Sequence, residues 1–352
     1  MFRNAVACAF LALVLATFAF AHHPSGAGSS GGAGPIVTIP GTTLEQGQSA
    51  AAIVFEFQKF NPLSDAQLTV PGHPHSLDAI LAPSLVYSYG ITNDLMLSLR
   101  IPYVRRTNLR EGHIHGGVPE IHELGDSAGV GDLSVLGQYR FYMNRPAQFE
   151  AALLLGIKIP TGDTRERTND GERFEAEFQP GSGSWDGLFG FAVTKRTGSW
   201  SFDGNILYVL ATEGTQQTDL GDRLQYNVAV SYRLVGGLTV GGAPMHAGAF
   251  SAPMYHGGPK AQPHRHAEPP PTRGPALDLI FELNGEWHAR QEIGSVKDPN
   301  SGGNVIFLSP GIRFSQDAWS SFVSFGFPIV SDMNGLQAEP AWRILTGATV
   351  RF

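Results

Sequence analysis

The sequence contains one cysteine, Cys8, and few charges: Asp, Glu, Lys and Arg together make up 16% of 352 residues. A lone thiol forms no internal disulfide and supplies no cysteine-based metal site. The charged fraction lies well below the usual ~25%. That argues against an ordinary helical soluble protein, whose exposed helix faces consume Lys and Glu. Basic residues number 24 against 31 acidic, a net charge of −7, so no nucleic-acid partner is expected. Beyond residue 21 no run approaches the ~18 apolar residues of a membrane helix. The motifs G-x-S-x-G, H-E-x-x-H and G-x-x-x-x-G-K are missing. His288 and Ser295 are the one hint of a hydrolase, at a spacing common by chance, and the reading is of a protein that is not an enzyme.

Glycine is abundant, at 43 residues, hydrophobic residues make up 42%, and aromatics reach 10%. These figures suit many short strands joined by turns. The first 21 residues read as a secretory signal: Arg3, an apolar stretch from Ala5 to Phe20, and the A-x-A site Ala19-Phe20-Ala21. Cleavage after Ala21 would leave His22 first and remove Cys8. A flexible Gly/Ser-rich arm is then expected over 22–47.

The rest of the chain alternates with a period of two. In 130–142, Leu133, Val135, Tyr139 and Phe141 share one face, and Asp132, Ser134, Gln138 and Arg140 the other. Similar segments cover 147–160, 222–234, 277–288 and 341–352, with less regular copies near 48–60, 77–90, 94–104, 184–196, 198–210, 303–315 and 319–330. That predicts about twelve strands, joined alternately by short turns and by long loops near 61–75, 105–127, 161–183, 211–221, 289–302 and 331–338. Alternating faces, aromatics near strand ends and uneven loops point to an all-β fold, a transmembrane antiparallel barrel over 48–352. A soluble β-sandwich is the rival. A Pro/Gly/His-rich insert at 235–275 stands where a short periplasmic turn is expected.

The segments GVGDLSVLGQYRFY (129–142), LLLGIKIPTGD (153–163) and DLIFELNGEW (278–287), with the closing VRF, resemble the outer-membrane transporters of the phenol-degradation MetA-pathway family. The resemblance implies a channel in the bacterial outer membrane, linked to uptake of small hydrophobic or aromatic solutes. It also makes Phe352 the expected signal to the barrel-assembly machinery.

On the polar faces both signs of charge recur, and these residues are expected to line the lumen: Arg100, Asp132, Arg140, Glu150, Lys158, Asp203, Arg233, Asp278, Glu282, Glu286, Arg313 and Arg343, with Glu56. They would set selectivity in an open pore or knit a narrow one shut. Asp278, Glu282 and Glu286 form an acidic ladder that should favour cations unless Arg100, Arg140 or Arg313 neutralises it. No cofactor is required for such a channel. Histidine pairs at His73/His75, His113/His115 and His264/His266, with His122 and a mature N-terminus of His22-His23, raise the alternative of copper or zinc binding, because imidazole suits those ions. On that reading the protein is a metal-acquisition barrel.

Overall fold

The computed structural model describes residues 34–236, 238–240, 243–245 and 274–352. Twelve antiparallel barrel strands follow in chain order. They are β1 (Ser49–Asn61), β2 (Ala79–Leu81 and Ser84–Gly90, broken at Pro83), β3 (Leu95–His115), β4 (Val118–Val130 and Leu133–Asn144), β5 (Phe149–Ile159) and β6 (Asp186–Thr197). The second half comprises β7 (Trp200–Leu210), β8 (Arg223–Val235), β9 (Ala276–His288), β10 (Gly303–Gln316), β11 (Trp319–Met333) and β12 (Glu339–Arg351). Each pairs with its neighbour in sequence, and β1 pairs with β12 from Ala50↔Arg351 to Asn61↔Glu339. The sheet therefore closes on itself and leaves no edge.

Period-two alternation sorts side chains as a membrane requires. On β5, Leu153, Leu155 and Ile157 are exposed, while Ala152 and Leu154 are buried inside. Leu97, Leu99 and Ile101 on β3, Ile206 on β7 and Phe281 and Leu283 on β9 are likewise exposed. This outward band meets lipid. At the short-turn end aromatics pair across strands: Trp200 with Tyr232 at 4.6 Å between ring centres, Phe314 with Trp319 at 5.3 Å, and Tyr142 with Phe149 at 5.9 Å. Such rings suit a membrane interface.

Both ends of the barrel sheet lie at this short-turn end, because Ser49 faces Phe352. Outer-membrane barrels keep short turns on the periplasmic side and long loops outside. Two sequence expectations need correction. Residues 105–127 are not a loop. β3 and β4 run on as a hairpin whose tip is Gly116-Gly117, both at positive φ (58° and 84°), a conformation that favours glycine. Nor is the described part of the 22–47 arm free: residues 34–44 are packed inside the barrel, as detailed below. The loop 289–302 also carries a small ladder, Glu292–Ile293 against Val296–Lys297. In the 235–275 insert, Leu238–Val240 pairs with Ala243–Met245. The rest of the insert and the signal at 1–21 lie outside the described residues.

Leu155, 63% exposed at mid-strand, gives a test of the lipid face. Leu155→Arg is expected to destabilise the barrel by about 2–4 kcal/mol in urea titrations in lipid vesicles. The same change at Val296, exposed in an outer loop, should stay within about 0.5 kcal/mol.

Candidate functional site: the barrel lumen and its outer rim

Residues 34–44 cross the lumen as a segment outside the sheet, bent at 36–38 and at Gly41. Its carbonyls at Gly34 and Pro35 accept from the Arg313 guanidinium on β10. The backbone N–H groups of Ile36, Val37 and Thr38 all donate to the Glu282 carboxylate on β9, at 2.9–3.1 Å. Ile39 N–H donates to Asn205 Oδ1 on β7 (2.8 Å), and Gly41 N–H to Thr194 Oγ1 on β6 (2.9 Å). Gln138 Nε2 on β4 donates to the carbonyls of Pro40 and Thr42. Thr43 Oγ1 then donates to the carbonyl of Asn93, in the β2–β3 turn. A segment without sheet partners thus has many of its backbone groups taken up by side chains. Apolar contacts add to this. Ile39 packs on inward-facing Leu136, Leu154, Leu188, Leu207 and Val209, and Ile36 on Ile280, Phe322 and Leu345. The lumen is therefore a mosaic rather than uniformly polar.

Most of the charges expected to line the lumen are buried or nearly so, and most lie in pairs. Arg233 holds Asp278 through two bonds of 2.6 and 2.9 Å. Arg140 binds Glu150 (2.6 Å) and Asp94 (2.8 Å), and Arg196 reaches Glu150 at 3.4 Å. Lys158 bridges Asp186 (2.5 Å) and Asp132 (3.6 Å). Arg343 lies 3.7 Å from Glu56 and stacks on Phe307, 4.1 Å from its ring centre. Arg100 donates to Ser84, and Asp203 accepts from Thr194 and Ser201. The acidic ladder is thereby divided: Asp278 goes to Arg233, Glu282 to the threaded segment, and Glu286 to Gln225 at 2.8 Å. Of the arginines foreseen as neutralising it, Arg313 lies directly opposite Asp278 in the β9–β10 pairing.

Sequence reading missed an asparagine ladder. Asn205, Asn227 and Asn284 are directly opposed across β7, β8 and β9. Asn227 donates to Asn205, Asn284 to Asn227, and Arg343 to Asn284. With Arg343 beside Glu56, this polar girdle runs from the threaded Ile39 through β7–β9 to β12 and β1. The sequence did carry one hint of the threaded segment: Pro35-Ile36-Val37-Thr38-Ile39-Pro40, a β-branched patch in a Gly/Ser-rich stretch.

The outer end is covered by loop 160–185. Asp132 accepts from Gly162 N–H, Ser182 N–H and Ser182 Oγ at 2.7–2.9 Å. Ser127 and Arg106 bind the carbonyl of Phe178, which packs with Leu109 and Phe174 under the long hairpin. Here four of the expected histidines meet. His75 lies opposite Glu111 on β3. Its Nδ1 is 2.8 Å from Glu177, and its Nε2 is 3.3 Å from Glu111 and 3.6 Å from Glu175. Burial works against charge on the His75 ring, but Glu111, Glu177 and Glu175 outweigh it and raise the imidazole pKa well above its ordinary value. Glu111 and Glu177, though burial pushes them up, are held below the usual carboxylate range chiefly by His75. Burial leaves Glu175 raised. His113 Nε2 lies 2.9 Å from Glu111 Oε2, and His73 Nδ1 lies 3.1 Å from His113 Nδ1. His122 stacks edge-on against His113 and lies 3.8 Å from Glu120. His115 pairs with Val118 at the hairpin tip, and its side chain lies outside the described residues. His22, His23, His264 and His266 lie outside the described residues. His288 lies 3.7 Å from Glu286, while Ser295 sits in the turn of the small 292–297 ladder.

The profile of the family described as "Putative MetA-pathway of phenol degradation" matches residues 78–253. No curated protein matches the chain. Among solved structures, an outer membrane channel from Pseudomonas putida F1 aligns with 88% of this chain and 97% of its own, at 13% identity and a TM-score of 0.51. The β domain of the Bordetella autotransporter BrkA (10% identity, 87% of this chain and 99% of its own, TM-score 0.41) is also similar. So is a Pseudomonas aeruginosa FadL homologue (8%, 96% and 98%, 0.38). The fold is that of a bacterial outer-membrane barrel, and the lipid bilayer is its surroundings.

The Arg233–Asp278 pair offers a direct check of the lumen. Arg233→Leu, which leaves Asp278 buried, is expected to cost about 3–5 kcal/mol, and adding Asp278→Leu should restore most of it. Urea titration of the three proteins measures both effects.

Proposed function

The chain belongs to the phenol-degradation MetA-pathway family, and from that premise we propose that it is a passive outer-membrane channel for a small solute, closed at rest by its own residues 34–44. The observation that carries this reading is the threading itself. The segment occupies the lumen through backbone groups bound to inward side chains from β4, β6, β7, β9 and β10. Such contacts are individually replaceable by water, because Glu282, Asn205, Thr194 and Gln138 can hydrate once the segment leaves. Withdrawal toward the short-turn end would open a path along the same side chains.

The lining then exposed has two characters. Leu136, Leu154, Leu188, Leu207 and Val209, covered at rest by Ile39, offer an apolar surface on one wall. Glu282, Asn205 and Asn227 offer polar groups on the other. A solute with an apolar body and a polar group suits both, which accords with the small aromatic compounds that family membership suggests. Transport would be diffusion down a gradient, since the lumen chemistry needs no energy source. Assembly through Phe352 belongs to the same reading.

Planar-bilayer recording tests the proposal. Wild-type protein is expected to give rare, brief openings. Glu282→Ala removes the acceptor for three N–H groups, and Gly41→Leu places a side chain where even a Cβ would lie 2.8 Å from the Glu150 carbonyl oxygen. Either should raise open probability by about tenfold or more, the first by losing charge-assisted bonds of about 1.5–3 kcal/mol and the second by steric displacement of the segment. Folded variants that conduct no more than wild type would refute the gate. Wild-type and variant barrels that all stay sealed would refute the channel.

A further inference from the structure

The pair His73 and His113 stands apart from the channel, near the tip of the exposed hairpin, and its chemistry is that of a metal site. The two Nδ1 atoms are 3.1 Å apart. Two ligands on one zinc-like ion, with bonds of about 2.0–2.1 Å, lie at about that separation. The Glu111 carboxylate lies beside them, in a group whose candidate ligand atoms are all within 4.8 Å of one another.

The proton positions follow from the neighbours. His113 Nε2 is 2.9 Å from Glu111 Oε2. A carboxylate only accepts, so Nε2 carries the proton and Nδ1 keeps its lone pair, turned toward His73. This is the arrangement by which a carboxylate orients a metal-binding imidazole. Glu111 is itself held in place by His75 across the strand pair, and His75 by Glu177. The supporting groups are thus fixed before any ion arrives.

His73 supplies an independent observation. It adopts φ 50°, a left-handed conformation uncommon for a residue with a side chain. Its side chain is mostly exposed, so packing does not account for that backbone. Beside it, the Gly72 carbonyl accepts from Asn300 Nδ2 (2.7 Å), which ties this turn to loop 289–302. The result is an imidazole presented to His113 from a separate loop.

We propose that His73 and His113, the latter held by Glu111, bind a transition-metal ion at the outer rim. The ligand set favours Zn²⁺, Cu²⁺ or Ni²⁺ over Mg²⁺ or Ca²⁺. The bound ion clamps the loop before β2 to the β3–β4 hairpin. His122, edge-on to His113 with ring centres 5.0 Å apart, is placed to supply a further nitrogen after a small rotation. Because the site uses none of the residues that hold the threaded segment, it stands whether or not the channel reading does.

The test uses the full-length folded barrel in detergent, titrated with ZnCl₂ by calorimetry and with CuCl₂ by electron paramagnetic resonance. His22, His23, His264 and His266 also carry imidazoles, so the titrations are run in wild type and in a variant with those four changed to Ala. The four-fold variant should keep one site with nitrogen hyperfine structure on copper. In that background His73→Ala and His113→Ala should each weaken binding by at least tenfold, and Glu111→Gln by about 10–100-fold, as for groups that orient a ligand. MgCl₂ should give no saturable heat. His73 is exposed, so His73→Ala should melt like wild type, and its circular dichroism confirms the fold. If the four-fold variant binds neither ion, or if His73→Ala and His113→Ala bind as tightly as their parent, the site does not exist.

Discussion

The pairing of β1 with β12 is the constraint from which the rest of this structure follows. In hydrocarbon an unpaired backbone N–H or C=O costs several kcal/mol, so the sheet must have no edge. Closure fixes two environments at once. Every second side chain meets lipid, as Leu153, Leu155 and Ile157 do, and the others point into a confined interior. A closed barrel of this width is too wide to be filled by its smaller inward residues alone, and inward charges cannot be left dry and unpaired.

The interior meets that requirement in two ways. Charges pair locally, as Arg233 with Asp278 and Lys158 with Asp186. Residues 34–44 enter the space between them, where their backbone groups satisfy Glu282, Asn205 and Gln138 while Ile36 and Ile39 pack in apolar recesses. The asparagine ladder links these neighbours to Arg343 and Glu56, so the threaded segment belongs to a continuous polar network. Such a network is rigid when complete. Yet every member is a group that water can also satisfy, unlike a packed leucine core.

Much of this architecture was legible in the sequence because lipid enforces alternation. The pattern Leu133, Val135, Tyr139 against Asp132, Ser134, Gln138 needs no tertiary knowledge to interpret. The inward position of Arg140, Glu150 and Asp278 followed from the same period. What alternation does not encode is what fills a barrel. Residues 34–44 have no period, because their partners come from five different strands. The extension of β3 and β4 past the bilayer was hidden too, since polar residues such as Arg105, Glu111 and Glu120 look like a loop once lipid no longer sorts them. The meeting of His73 with His113 depends on the register His75↔Glu111, which joins residues far apart in the chain. The H-x-H spacing drew attention to His73 and His113 but paired each with its neighbour along the chain, whereas their contact runs between separate segments.

The threaded segment is joined to β1 by residues 45–48 alone. Four residues span at most about 14 Å, so on leaving the lumen the segment would remain at its mouth. Re-entry is then an intramolecular event, governed by an effective concentration of about millimolar for a short tether. The fraction of closed barrels is accordingly a property of each molecule, independent of how many share the membrane. A separate peptide copying residues 34–44 would have to approach that same millimolar level before it could compete for the lumen.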